Sequence, residues 1–487
     1  MYFRDYKTFD GIGLAELVLK GEVSHGDLLE ACFEGMKQEA SLNAVISTRE
    51  KETHQETMVE KGSFLGVPFL LKNSSQSIKG DVLTSGSKLF NEAKAGVTSH
   101  YTSRLQQAGF KMAGYTNAPE FGLKNITEPK FHGPTRNPHN QAHSPGGSSG
   151  GAAAAVASGI VPIAGASDGG GSIRIPASFT GLVGLKPTRG RIPVGPGAGR
   201  QWQGAAIDFV LTRSVRDCAR SLDVLQVYQP EAAFHTPLYE HGYEQSLHKK
   251  SKKWRIAISL ESPVGTPVSG IAKKAVMKTV SLLEQLGHQV EEATPTIDGI
   301  ELMKQYYLMN AGEMASLRDR LERGFNRQLH ADDFETESWV LAECGKEVRA
   351  SAYAQSLTAW DQAAAKAIEF HNIYDLYLTP ATAQTAPLVG ELTPSSEQEQ
   401  ALKEAVLKGT VIDKLDLVYE MFCPSLTYTP FTQLANLTGQ PAISLPVMVS
   451  EASLPIGVQA MATKGGEHLL LQLARLLEES ELWCGAR

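Results

Sequence analysis

The segment that decides the fold is rich in glycine and serine and reads HSPGGSSGGAAAAVASGIVPIAGASDGGGSIRIPASFTGLVGLKPTRG, residues 143–190. Two Gly/Ser clusters, at 146–151 and 168–172, flank an alanine-rich stretch that is predicted to be a helix. Glycines let the backbone approach a ligand closely, and consecutive N–H groups in such a turn form a concave anion site. The second cluster, DGGGS, therefore predicts an oxyanion cradle with a hydroxyl at its end, the alternative being an ordinary tight loop.

Two familiar motifs fit this segment poorly. A nucleotide phosphate loop requires G-x-x-x-x-G-K-[ST], whereas GLKP at 184–187 puts a proline after the lysine. GGSSG at 146–150 satisfies the G-x-S-x-G pattern of a nucleophile elbow. That elbow must follow a strand directly, but the preceding residues 137–145 are predicted to be a loop. The sequence disfavours both interpretations.

A third interpretation combines both clusters with a lysine. VPFLL at 67–71 is a short apolar run that predicts a buried strand, and Lys72 stands at its end. Burial disfavours the charged form of a lysine, and a neutral lysine amine can activate a serine hydroxyl. A Ser-Lys arrangement of this kind, with Ser148 and Ser172, is a known variant of the catalytic triad. The alternative is a solvated lysine at a strand end.

Outside this segment, the chain alternates between strand-like and helical patterns. Residues 253–292 predict a strand, a helix that stops at Gly287, and a second strand. Residues 300–372 are mostly helical in pattern and more charged. The alternation predicts an α/β architecture, with 300–372 as an insertion or a helical layer. No fixed repeat and no long Pro/Gly/Ser-rich linker interrupts the 487 residues, so we expect one domain.

Composition excludes several classes of protein. Lys+Arg is 46 and Asp+Glu is 53, which gives a formal net charge of −7. With 42% hydrophobic and 20% charged residues, the chain lacks the composition of a disordered protein. A mildly acidic chain also lacks the electrostatic footprint of a nucleic-acid binder. Nothing here suggests a nucleic-acid partner.

The cysteines indicate a reducing compartment, and the apolar stretches argue against a membrane span. There are five cysteines, an odd number, with long gaps and no C-x-x-C, so neither a disulfide framework nor a metal site is expected. The first ten residues, MYFRDYKTFD, are too polar for a signal peptide. The longest apolar stretch is too short and too interrupted to span a membrane. We therefore expect a cytoplasmic protein with no membrane association.

Motifs along nearly the whole chain resemble the amidase signature family. They occur in the family's order and read as follows: GVPFLLK at 66–72, GYTNAPEFG at 114–122, GGSSGGAAAAVASG at 146–159, SDGGGSIRIPASFTGLVGLKPTRGRIP at 167–193, LTGQPAISLP at 437–446 and LPIGVQ at 454–459. Within the family, TEPKFHGPTRNPHN at 127–140 and the C-terminal half are most similar to amidases that act on nylon oligomers. The resemblance implies a single amidase domain over 1–487, with a signature core at about 60–220 and a more variable helical region at about 230–430.

The family resemblance also implies a fold and a set of site residues. The fold is a large mixed β-sheet covered by helices on both faces. Lys72 corresponds to the base, Ser148 to the serine that follows a cis peptide bond, and Ser172 to the nucleophile. Further residues correspond to the oxyanion hole and to its support: backbone N–H groups of Gly169, Gly170, Gly171 and Ser172 for the first, Asp168 and Arg174 for the second. The implied activity is amide hydrolysis through an acyl-enzyme, with no cofactor and no metal.

Some residues near these motifs need a separate interpretation. Asn73 stands where the family usually has aspartate, which removes a charge next to Lys72. Asn310 stands where the nylon-oligomer enzyme has a cysteine near its substrate, so it is a candidate for substrate binding. Ser149 is predicted to be a helix N-cap. The three nearby histidines lack metal-ligand spacing and are predicted to be loop residues: His132, His139 and His143.

The resulting functional hypothesis is an amidase that acts on small linear or cyclic amides, including compounds that resemble the 6-aminohexanoate cyclic dimer. It is expected to be a monomer or a homodimer. The alternative is the amidase-type subunit of a glutamine-dependent tRNA amidotransferase, which has the same triad but works inside a complex. A non-catalytic member of the fold would be expected to have a broken triad, and all three residues are present here.

Overall fold

The predicted alternation of strands and helices produces one mixed sheet. The computed structural model describes residues 1–57, 59–249 and 252–485, and in these the sheet has eleven strands. Their bounds are β1 Val45–Thr48, β2 Pro68–Lys72, β3 Lys111–Thr116, β4 Ile163–Asp168, β5 Val183–Lys186, β6 Ile207–Thr212, β7 Arg255–Ile258, β8 Gln289–Glu292, β9 Leu376–Pro380, β10 Ala442–Val449 and β11 Pro455–Ala462.

The helices of this part of the chain range from four to 27 residues. Their bounds are α1 Phe3–Tyr6, α2 Gly11–Leu19, α3 His25–Gln38, α4 Glu50–Gln55, α5 His100–Gln107, α6 Gly150–Ala157, α7 Arg174–Thr180, α8 Val215–Leu225, α9 Tyr243–Ser246, α10 Gly270–Gln285, α11 Gly299–Phe325, α12 Thr336–Gly345, α13 Ala350–His371, α14 Ser396–Ala405, α15 Val411–Leu426, α16 Gln433–Thr438 and α17 Glu467–Glu478. The α/β architecture predicted from the sequence is confirmed.

The order of the strands brings distant parts of the chain together. It runs β1-β3-β2-β4-β6-β5-β10-β11-β9-β7-β8, with β2 parallel to both β3 and β4 and β4 antiparallel to β6. As predicted, the apolar run before Lys72 is a buried strand at the centre of one half of the sheet. Lys72 and Asp168 end the parallel strands β2 and β4, so both lie at the same edge of the sheet.

Two helices next to β4 continue the glycine-serine segment. Helix α6 is almost entirely glycine and alanine and is buried. It packs against β4 and α7. Helix α7 in turn packs against β5, β10 and β11. Small side chains let helices and strands approach closely, which explains the alanine-rich sequence between the two Gly/Ser clusters.

The helical region at 300–372 forms a layer with its own apolar core, as one of the two sequence interpretations proposed. Helices α11, α12, α13 and α15 pack on one another. Their core includes Met303, Tyr307, Trp339, Val340 and Phe422, and it is separate from the main core under the sheet. Across the described residues, no helix combines the length and the apolar character needed to cross a bilayer.

Candidate active site

Lys72 directs its amine into the protein interior. The residue is 1% exposed, and its Nζ donates to Ser148 Oγ at 2.7 Å and to Ser167 Oγ at 2.8 Å. Burial lowers the pKa of Lys72 to about 7, against the opposing effect of the Asp208 and Asp168 carboxylates. Near neutral pH a substantial share of Lys72 is therefore uncharged, and a neutral amine can accept a proton. The alternative interpretation of Lys72, as a solvated lysine at a strand end, is therefore excluded.

Ser148 lies at the turn that leads into α6. It is buried, and the peptide bond between Gly147 and Ser148 is cis, as the family resemblance implied. Its neighbour Ser149 occupies the N-cap position of α6, as predicted, but its hydroxyl does not cap the helix. The Ser149 hydroxyl instead bonds to the backbone N–H and C=O of Ser167, each at 3.2 Å. Ser149 thus fastens the serine turn to β4, next to Ser167, which contacts Lys72.

Ser172 lies beyond the glycine turn that follows β4. It is partly exposed and lines the same cavity as Lys72 and Ser148. Among the described residues no group accepts or donates a hydrogen bond at its hydroxyl. The structure therefore brings the three predicted residues to one cavity wall, with the hydrogen bond from Lys72 to Ser148 formed and that between the two serines not formed.

Asp168 and Arg174 form a buried ion pair under the glycine turn. The Arg174 guanidinium donates from Nε and Nη2 to the two carboxylate oxygens of Asp168, each at 2.9 Å, and both side chains are 0% exposed. Burial opposes ionisation of Asp168, but the charge and hydrogen bonds of Arg174 prevail and lower its pKa to about 2. The remaining donors of Arg174 reach Thr432, Asn436 and Gln459. Side chains from the C-terminal third thus hold this support in place.

The three candidate oxyanion glycines differ in what their N–H groups contact. The N–H of Gly171 donates to Asp168 Oδ1 at 2.7 Å, so it is not free for a ligand, contrary to what the resemblance implied for all three. Gly171 has φ +125°, and a Cβ at this position would collide with the Thr432 side chain. It therefore shapes the turn. Gly169 and Gly170 line the cavity with Ser172, and the N–H groups of these three residues are the candidate donors that remain.

Sequence reasoning missed a polar cluster behind Lys72. Gln76 accepts from the Lys72 backbone N–H at 2.8 Å and donates to Asp208 Oδ1 at 3.2 Å. Asp208 is 3% exposed and also accepts from Ser75 at 2.6 Å and Gln201 at 3.0 Å. The antiparallel register of β4 and β6 sets Asp208 opposite Ser167. No local pattern identifies this aspartate, since its position depends on pairing between strands far apart in sequence.

Asn73, the departure from the family's aspartate, holds the loop that follows. It is buried, and its Oδ1 accepts from the Thr84 N–H at 2.7 Å, the Thr84 hydroxyl at 2.7 Å and the Ser85 N–H at 3.0 Å. Ser85 lines the cavity. An amide oxygen accepts these bonds as a carboxylate would, but it adds no negative charge beside Lys72. The neutral residue is therefore compatible with the low pKa of Lys72.

The cavity above these residues has a volume of about 510 Å³. Helix α11 provides one wall, which includes Tyr306 and the predicted substrate-binding residue Asn310. A Cβ at Gly170 would meet the Tyr306 hydroxyl at 2.7 Å, so this tyrosine lies against the candidate oxyanion turn. Further residues that line the cavity contribute apolar surface: Phe121, Trp202, Met314, Leu317, Phe422 and Leu426. A cavity of this kind suits a small organic ligand.

The described residues contain no group of three or more His, Cys, Asp or Glu side chains arranged to hold a metal ion. The three histidines near the serine segment are loop residues, as predicted. His132 pairs with the Thr84 hydroxyl, His139 with the Thr180 carbonyl and His143 with the Ala386 carbonyl. All five cysteines are free thiols.

Comparison with known proteins finds relatives that match nearly the whole chain. The family model described as Amidase matches residues 24–471. A lipoamidase from Enterococcus faecalis is 39% identical over 485 residues, which is 98% of this chain. The chain spans only 64% of that lipoamidase's length. The 6-aminohexanoate-cyclic-dimer hydrolase of Paenarthrobacter ureafaciens is 35% identical, over 98% of this chain and 96% of that protein.

A solved structure extends this similarity to three dimensions. The structure of 6-aminohexanoate cyclic dimer hydrolase complexed with substrate superposes with a TM-score of 0.87 at 34% sequence identity. The match covers 97% of each chain. This chain, with its large mixed sheet and surrounding helices, therefore has the same fold as that hydrolase and its solved relatives.

Proposed function

The chain belongs to the amidase signature family and is an amide hydrolase, and from that premise we propose that Ser172 attacks the amide carbonyl while Ser148 and Lys72 carry the proton away. The observation on which the proposal rests most is the 2.7 Å hydrogen bond from the buried Lys72 Nζ to Ser148 Oγ. A buried amine with a pKa of about 7 that lies within hydrogen-bond distance of a serine hydroxyl can accept the proton of that hydroxyl.

The first half of the proposed reaction forms an acyl-enzyme. Lys72 in its neutral form accepts the proton of Ser148, and Ser148 accepts the proton of Ser172 as Ser172 Oγ bonds to the carbonyl carbon. A hydrogen bond between the two serine hydroxyls must form at this step, and the Ser172 hydroxyl has no competing partner among the described residues. The proton then passes to the amine as the C–N bond breaks. Ser172 is left as an ester.

The second half regenerates the enzyme. Water donates a proton to the same relay and attacks the ester, which releases the acid and restores the Ser172 hydroxyl. In both halves the negative oxygen lies against the N–H groups of Gly169, Gly170 and Ser172, and the loss of one such donor typically costs ~10²–10³ in rate. Splitting one difficult step into two easier ones is the advantage of the covalent intermediate.

Residues from the far end of the chain support this machinery. The pair of Asp168 with Arg174 holds the glycine turn, and Arg174 is itself bonded to Thr432 and Gln459. Because both ends of the sequence contribute to one site, we propose that residues 1–487 act as one amidase unit. Its signature core at about 60–220 supplies the reacting groups, and the helical region supplies a wall of the cavity.

The substrate we propose is a small amide with an aliphatic acyl group, linear or cyclic. The cavity lining is mixed: apolar residues of the wall alternate with polar ones, among them Asn310, which we propose contacts the substrate. Lipoamide and the cyclic dimer of 6-aminohexanoate, after which two relatives are named, both join a carbonyl to a straight alkyl chain. The apolar wall residues suit the alkyl chain, and the polar ones suit the amide groups.

The proposal is tested with the purified chain alone and a panel of aliphatic amides that includes lipoamide and the 6-aminohexanoate cyclic dimer. We expect hydrolysis of at least one alkyl-chain amide without added protein, and a loss of ~10⁴-fold or more in kcat for Ser172→Ala. Ser158→Ala is the matched control, since its hydroxyl lies outside the cavity and bonds only the Ala155 carbonyl. Activity that appears only on addition of a partner would instead support the amidotransferase alternative.

A further inference from the structure

Helix α11 presents to the cavity a stripe of mostly polar residues, of which the proposed function uses only Asn310. Five residues of this helix line the cavity at spacings of three or four: Tyr306, Asn310, Glu313, Leu317 and Arg320. Residues at this spacing lie on one face of an α-helix. The stripe therefore follows the length of the cavity wall, beginning where Tyr306 contacts the turn of Gly170.

Glu313 is the acidic member of this stripe. Its Oε1 accepts from the Tyr353 hydroxyl at 2.6 Å and from Gln203 Nε2 at 2.8 Å. Among the described residues Oε2 accepts no hydrogen bond and the carboxylate has no cation within 4.0 Å. Both groups that fix Glu313 are thus neutral, and one of its oxygens is left for a ligand.

Glu313 is partly exposed and lines the cavity, so its free carboxylate oxygen is accessible to a ligand. A hydrogen bond to a charged partner there would be stronger than one to a neutral partner. The apolar neighbours Met314 and Leu317 line the same wall. Arg320 lies two turns further along α11 and donates to Ser316 at 3.0 Å instead of approaching Glu313. A cation supplied by the ligand would complete the pairing.

The loop that contains Gln203, which donates to Glu313, has an uncommon backbone conformation. Gln203 and Trp202 both have left-handed backbone conformations, with φ of 52° and 47°. Such conformations are uncommon for residues other than glycine and persist where surrounding contacts enforce them. The contact of Gln203 with Glu313 is one such constraint. Hydrogen bonds from two separate segments, the loop of Gln203 and the helix of Tyr353, therefore fix the orientation of the Glu313 carboxylate.

We propose that Glu313 receives a primary ammonium group of the substrate, so that the amides preferred by this enzyme carry an amine at the far end of an alkyl chain. From Tyr306 to Glu313 is seven residues, or about 10 Å along the helix axis. That separation requires a chain of several methylenes between the reacting carbonyl and the ammonium group. The inference rests on the proposed amide hydrolysis and adds the charge of its substrate.

The test compares pairs of substrates that differ only in the ammonium group. One pair carries it on the acyl side: the 4-nitroanilides of 6-aminohexanoic acid and of hexanoic acid. The other carries it on the amine side: the hexanoyl amides of 1,6-diaminohexane and of hexylamine. For each pair kcat/KM is measured in the parent and in Glu313→Gln, and the ratio within a pair cancels any general loss of activity.

We expect at least one pair to favour the ammonium substrate by about 10–100-fold in the parent, the range typical of a hydrogen bond between charged groups. In Glu313→Gln this preference should fall to less than about threefold, mainly through KM, and Glu313→Asp should retain part of it. Glu301→Gln is the matched control, because it removes a carboxylate of α11 that is exposed and lies outside the cavity. It should leave the preference intact.

The outcomes separate this inference from the proposed function. Hydrolysis of both members of each pair at similar rates, or a preference that survives in Glu313→Gln, would overturn the role of Glu313 and leave amide hydrolysis standing. A parent that hydrolyses lipoamide or the 6-aminohexanoate cyclic dimer but none of the four compounds would overturn the role of Glu313 alone. A parent that hydrolyses no amide of either panel would overturn both.

Discussion

The floor of the cavity and its α11 wall are constructed differently. On the floor, Lys72 and Ser148 are almost completely buried, and the glycine turn above Asp168 is fixed by a buried ion pair. On the wall, the side chains of Glu313 and Arg320 are partly or fully exposed and make few bonds. We infer that the buried floor carries the chemistry and that the wall governs the choice of substrate.

The two regions should therefore respond differently to substitution. Changes on the floor alter kcat or its pH dependence for every substrate, since all amides use the same reacting groups. Changes on the wall alter the ranking of substrates through KM. The predictions below test the floor, from the largest expected effect to the smallest.

The largest effect is expected for Lys72→Met, which removes the base and keeps a side chain of similar length. We expect a loss of at least ~10³-fold in kcat, by analogy with other triad substitutions. The matched control is Lys186→Met. Lys186 ends β5, is also buried, and burial lowers its pKa to about 7 as well, but its Nζ donates to the Pro187 carbonyl instead of a serine. We expect this control to lose less than ~10-fold.

Both variants should also change stability in the same direction. Burial lowers the pKa of Lys72 to about 7 in the folded chain, against an ordinary value of about 10.5 for the unfolded chain. The cost of burying the charge is therefore complete below pH 7, declines as pH rises, and is absent above pH 10.5. Each methionine variant should be at least as stable as the parent at pH 7, with an advantage that shrinks toward pH 10. Thermal melts between pH 6 and pH 10 measure this, and a destabilised Lys72→Met that keeps a tenth of its activity would contradict the account.

A smaller effect is expected for Asp208→Asn, which removes a negative charge near Lys72 and keeps the shape of the side chain. The Asp208 carboxylate raises the pKa of Lys72 against the effect of burial. Its removal should lower that pKa, so that Lys72 stays neutral in more acidic solution. The acid limb of the pH profile of kcat/KM should then move to lower pH.

Glu301→Gln serves as the control for this shift, since it removes an exposed carboxylate outside the cavity. The limb should not move in this variant. An acid limb that stays in place in Asp208→Asn, or moves to higher pH, would show that Asp208 does not influence the base.

The floor was predictable from the sequence to a larger extent than the wall. The apolar run before Lys72 and the two Gly/Ser clusters are local patterns that predicted the strand and the turn, and the family resemblance then singled out Lys72, Ser148 and Ser172, which line one cavity. Ser167 and Asp208 could not be found in this way, because the antiparallel register of β4 and β6 brings them to the site. Ser149 shows the limit of a local rule, since a tertiary bond to Ser167 replaced the predicted cap.

The wall was predicted only as a helical region. Asn310 was singled out through the family resemblance, whereas Tyr306 and Glu313 carry no local signal of function. Their role follows from the direction in which α11 crosses the cavity, and packing of α11 against α12 and α13 sets that direction. Helical periodicity indicates which residues share a face but not what that face contacts.

The most direct measurement of the central claim is covalent labelling of the active enzyme with an alkyl fluorophosphonate, followed by intact mass and peptide mapping. The account predicts one adduct per chain, located on Ser172, formed at the rate at which activity is lost and absent from Ser172→Ala. An adduct on Ser148 or on a residue outside the cavity, or full inhibition with Ser172 unmodified, would contradict it.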